Sequence, residues 1–123
     1  KKNCDSNGFN SLLANPQISQ MWIDIQLNTA KDGNEWGFTL VPNNEGGFDS
    51  SGPITNGSPD HVSAGFWYNL KNLVGINSGA YFVHTHPTNT TSAGLEGGDM
   101  TRGDESGEDT TVAVRDGENF CSK

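Results

Sequence analysis

The sequence predicts a single α/β domain in which a mixed, mostly antiparallel sheet carries one main helix. Three observations point there. A helix is clearly signalled over residues 15–33, several short apolar or alternating runs read as strands, and Gly/Asn-rich connections of hairpin length stand between some of them. At 123 residues the chain has room for one modest core, so residues 1–123 are taken as one domain.

In chain order, residues 1–14 are polar with a brief apolar patch at Phe9, Leu12 and Leu13, a segment expected to pack only in part. Asn15 can cap a helix, Pro16 suits its first position, and Ile18, Met21, Trp22, Ile25 and Thr29 follow a 3.6-residue stripe. Lys31 and then Gly33 read as its stop. Residues 35–42, Glu-Trp-Gly-Phe-Thr-Leu-Val-Pro, read as a strand closed by proline, and residues 43–47 as a hairpin connection. Residues 53–57 and 61–68 are expected to be further short strands, and 70–77 a turn of helix or a loop. Residues 80–87, Ala-Tyr-Phe-Val-His-Thr-His-Pro, form the most apolar strand candidate. From 88 to 109 the large apolar residues are Leu95 and Met100, which predicts a solvent-exposed stretch. Residues 110–115 alternate as a last strand, Asp116-Gly117 turns, and Phe120 returns toward Cys121.

Fifteen acidic against seven basic residues give a net charge of −8, with no basic patch. Nucleic acid and anionic membranes are therefore not expected as partners. No run reaches the roughly 18 apolar residues of a bilayer span, and residues 1–14 show no signal-peptide pattern. The two cysteines, Cys4 and Cys121, lie near opposite ends, and chain ends commonly meet in small domains, so a Cys4–Cys121 disulfide is expected. Such a bond implies an oxidising location, secreted into the extracellular space or a periplasm.

The chemistry gathers on His84 and His86. On a strand the two share one face, about 6 to 7 Å apart at Cα, and can converge on one metal ion. A catalytic zinc keeps three protein ligands and an open position. A carboxylate among Glu96, Asp99, Asp104, Glu105, Glu108 and Asp109 could supply the third ligand. Glu35, a charge at the start of an apolar strand, must be exposed, paired or in use, and could pass a proton from the attacking water to a leaving amine. His61 reads as an ordinary polar histidine.

These residues resemble a known family. Glu35-Trp36-Gly37-Phe38-Thr39-Leu40 after a helix looks like the glutamate strand of the JAMM (JAB/MPN) metalloproteases, and His84-Thr85-His86-Pro87 looks like their H-x-H-P. The order of helix, glutamate strand, hairpin, histidine strand, acidic loop and final strand follows that family over residues 15–120. Within it the likeness is greatest to JAB-like domains of polymorphic bacterial toxins. The resemblance implies a cytidine-deaminase-like JAMM fold, Glu35 as general acid/base, and His84, His86 and Asp99 as zinc ligands. Asp99 comes thirteen positions after His86, and Glu96 stands where the family has a serine. Asp109, in Ser106-Gly107-Glu108-Asp109, and then Asp104 are the other third-ligand candidates.

The expected function is zinc-dependent hydrolysis of an amide bond in a protein or peptide, as a metallopeptidase or isopeptidase in a secreted effector or toxin. A toxin would have an immunity protein as partner. The alternative, of a different class, is a non-catalytic secreted binding or fibre-assembly module, with self-assembly in place of a substrate.

Overall fold

The structure, a computed structural model, describes residues 2–3, 9–59, 62, 80–87, 110–115 and 118–121. Along the chain lie β1 (Lys2–Asn3), α1 (Phe9–Leu12), α2 (Pro16–Asp32), β2 (Gly37–Pro42), β3 (Phe48–Ile54), β4 (Tyr81–Thr85), β5 (Thr110–Arg115) and β6 (Glu118–Cys121). Helix α2 starts and stops by the predicted chemistry. The Asn15 side chain accepts from the N–H groups of Gln17 and Ile18, Pro16 opens the helix, and Gly33, at φ 75°, donates its N–H to the Thr29 carbonyl.

The strands form one six-stranded sheet in the order β1-β6-β5-β4-β2-β3. All neighbouring pairs are antiparallel except β4 with β5, so the sheet is mixed and mostly antiparallel, with α2 as its main helix. Strand β4 is central, between β2 and β5, which is where a strand of its apolar composition can bury both faces.

The two faces are lined differently. On one, Phe38 and Leu40 of β2, Val83 of β4, and Val112 and Val114 of β5 meet Ile18 and Ile25 of α2 and Phe9 of α1. Tyr81 joins this face, with its ring 5.7 Å from that of Phe9 and 6.0 Å from that of Phe48. On the other face Val41, Phe82 and Ala80 pack with Val62 and Ile54. Alternation along β4 therefore sends Val83 and Thr85 toward the helix, and Phe82 and His84 away from it.

Three expectations change. Residues 9–12 form a short helix where no element was expected, with Phe9 fully buried and Leu12 and Leu13 only partly so. The edge strand is β3 at Phe48–Ile54, ending where a strand over 53–57 was expected to start. Residues 49–53 of β3 are exposed, so the strand shows no apolar alternation to read, and a register shift opposite Gly37–Thr39 accommodates Pro53 at the edge. Strand β2 begins at Gly37, two residues after Glu35. The strand expected at 61–68, the 70–77 segment and the 88–109 stretch lie outside the described residues, apart from Val62.

Candidate functional site

His84 is fixed from both sides by backbone pairing. It lies opposite Gly37 of β2 in the antiparallel ladder and beside Ala113 of β5 in the parallel one. Opposed residues share a face, so the two strands flanking His84 present it with the smallest side chains, which leaves the imidazole room above the sheet. A β-carbon at position 37 would stand 2.7 Å from the Val83 carbonyl oxygen and 3.4 Å from the His84 Cβ, so glycine there permits this approach. The Phe82 ring stacks on that of His84 at a centroid distance of 5.4 Å and 27° between planes.

His86 lies just past the end of β4, and its N–H donates to the Val114 carbonyl at 2.8 Å, so β5 holds it in the direction of the strand. The two imidazoles then converge, with Nε2 of His84 3.2 Å from Nε2 of His86 and the rings tilted by 49°. Both residues are buried, at 2% and 5% exposure. Two neutral imidazoles at that distance either share one hydrogen, one ring donating and the other accepting, or direct two lone pairs at one cation. The second arrangement fits on distance. Nitrogen ligands about 2.0–2.1 Å from a tetrahedral zinc stand about 3.3–3.4 Å from each other.

Glu35 enters by register. Thr85 N–H donates to the Trp36 carbonyl, one step beyond the Gly37–His84 pair, so the next position sets Glu35 opposite His86. Carried one step past the ends of β2 and β4, the same alternation assigns Glu35 and His86 to the face of Gly37 and His84, away from α2. Glu35 is 8% exposed, and its backbone is held by residues 55–58, with its N–H donating to the Ser58 carbonyl and its carbonyl accepting from the Thr55 hydroxyl. Residues 55–57 were expected to be strand; with Ser58 they are instead the loop that pins Glu35.

Among the described residues no three His, Cys, Asp or Glu side chains form a metal-binding group. Asp99, Asp104 and Asp109, the expected third ligands, and His61 lie outside the described residues. So does Cys4, while the backbone of Cys121 pairs with Lys2 across β1 and β6. No described helix is long and apolar enough to cross a membrane.

Sequence reasoning missed Thr85, Thr55 and Ser58. The hydroxyl of Thr85 accepts the Trp36 N–H at 3.0 Å and contacts the Thr29 hydroxyl on α2. A threonine between two histidines carries no pattern of its own, and its role appears only once its partners are placed. Comparison of the chain with protein-family models, with curated proteins and with solved structures finds no match.

Proposed function

We propose that the chain is a zinc-dependent metallopeptidase or isopeptidase of the JAMM kind, acting on an amide bond in a protein or peptide. The observation that carries the proposal is the 3.2 Å approach of two buried ring nitrogens on the sheet face to which register assigns Glu35. His84 and His86 hold the ion, and Asp99, ahead of Asp109 and Asp104, supplies the third ligand. Zinc, when bound, contributes Lewis acidity toward the scissile carbonyl.

The remaining steps belong to the chain's own groups. Glu35 takes a proton from the attacking water and delivers it to the leaving amine, the role its register position opposite His86 favours. The bonds of its main chain to the Thr55 hydroxyl and the Ser58 carbonyl keep Glu35 from swinging away from β4. Burial of both histidines keeps competing water off the ring nitrogens. A cytidine-deaminase-like arrangement and a secreted effector or toxin setting belong to the same proposal and rest on the resemblance and the cysteine pair.

Cleavage of a peptide library tests the reading. The wild type is expected to cleave, and Glu35→Gln to lose about 10²- to 10⁴-fold of that rate while binding zinc as before. Equal rates in the two would remove Glu35 from the mechanism. A wild type that neither binds zinc nor cleaves returns the alternative, a non-catalytic binding or fibre-assembly module.

A further inference from the structure

We infer that Thr85 is a positioning residue for this site, its hydroxyl setting the strand end that carries Glu35 against the strand that carries His84 and His86. The inference rests on the metallopeptidase reading and adds to it a residue on the opposite face of the sheet. In a regular antiparallel ladder a hydrogen-bonded pair exchanges both bonds through backbone atoms. At Trp36 and Thr85 only one is of that kind: Thr85 N–H donates to the Trp36 carbonyl at 2.9 Å, whereas Trp36 N–H donates to Thr85 Oγ1 at 3.0 Å. A side chain thus replaces a carbonyl at the step between the Gly37–His84 pair and Glu35.

The same oxygen reaches the helix. Thr85 Oγ1 bonds to the Thr29 hydroxyl, and Thr29 is the residue whose carbonyl accepts the Gly33 cap N–H at the end of α2. Thr85 is 2% exposed, so its hydroxyl is kept from solvent and has these protein partners in place of water. One buried oxygen therefore joins β4, the Glu35–Trp36 segment and the last turn of α2. The position of Glu35 relative to the histidines depends on an acceptor that valine, of similar shape, does not have and serine does.

The test compares Thr85→Val, Thr85→Ser and Thr29→Val with the wild type. Amide hydrogen exchange at residues 35–37 of the metal-free protein is expected to be about tenfold or more faster in Thr85→Val and near wild type in Thr85→Ser. In peptide cleavage, Thr85→Val is expected to lower kcat by about 10- to 100-fold with KM unchanged, the scale of loss when a supporting hydrogen bond to a metal site is removed. Thr29→Val leaves the Trp36 bond in place and is expected to stay within about twofold on both readouts. Should the valine variant not fold, Thr85→Cys, with a weak acceptor, takes its place. Unchanged exchange and kcat in Thr85→Val, failure of serine to restore them, or an equal loss in Thr29→Val each overturn the positioning role. A wild type that binds no zinc overturns the metallopeptidase reading and the site Thr85 is said to position, whereas zinc-binding wild type with unaltered Thr85→Val overturns the role of Thr85 alone.

Discussion

Gly37 stands directly opposite His84 across the β2–β4 ladder, and the space between them is closed to a β-carbon. An added methyl group would meet the Val83 carbonyl oxygen at 2.7 Å and the Phe82 ring at 3.1 Å, and both are held by the central strand. Gly37→Ala must therefore push β2 away from β4 or turn the Phe82 and His84 rings. The expected cost is about 1–3 kcal/mol, the usual range for overpacking, read from urea denaturation midpoints. Weaker zinc binding should accompany it, because the His84 ring is displaced; unchanged stability and zinc affinity would show that the ladder yields at no cost.

Asn119 offers the opposite case, a buried polar residue whose side chain bonds to the helices, on the other side of the sheet from the His84 ring. Its carboxamide accepts from the Trp22 indole N–H at 2.9 Å and donates to Asn10 at 2.8 Å, joining α2, α1 and β6. Asn119→Ala leaves the Trp22 donor without this acceptor and is expected to destabilise the fold by about 1–3 kcal/mol. Zinc content should not change. A loss of zinc in a variant that is otherwise folded would show that the helix-side bonds of Asn119 reach the histidines through β5, where Val114 pairs with Asn119 and accepts the His86 N–H.

How much of this was legible in the sequence depended on whether a residue's role is local. Helix α2 was readable because its cap, its first proline and its αL glycine act within a few residues of one another. The histidine strand was readable because both its faces are apolar, and β5 by its alternation, whereas β6 at Glu118–Cys121 was read only as a return toward Cys121 after a last strand at 110–115. Strand β3 was not, because only Phe48 and Ile54 turn inward. Nor was the burial of Phe9, which depends on Tyr81 more than seventy residues away. At the site, the histidine pair was apparent from spacing, but the hold on Glu35 was not. It is made by Thr55 and Ser58 directly and by Thr85 through its bond to the Trp36 N–H, groups that carry no signal until the chain is folded.

The chain ends give a separate prediction. Lys2 pairs with Cys121 and Asn3 with Phe120, so the residue preceding Cys4 lies beside the strand that ends in Cys121. A Cys4–Cys121 bond would close nearly the whole chain into one loop, which the loop-entropy account values at about 4–5 kcal/mol. Protein prepared under oxidising conditions should have a mass two hydrogens lighter than the reduced form and should lose stability on reduction. Two alkylatable thiols in the unreduced, denatured protein would contradict the bond.

The proposed chemistry depends on a metal ion held by His84 and His86. Its most direct measurement is the zinc content of protein purified without added metal, compared among the wild type, His84→Ala and Asp99→Asn. Stoichiometric zinc is expected in the wild type, none in His84→Ala, and a reduced amount in Asp99→Asn. Zinc-free wild type, or a His84→Ala variant that retains as much zinc as the wild type, would contradict it.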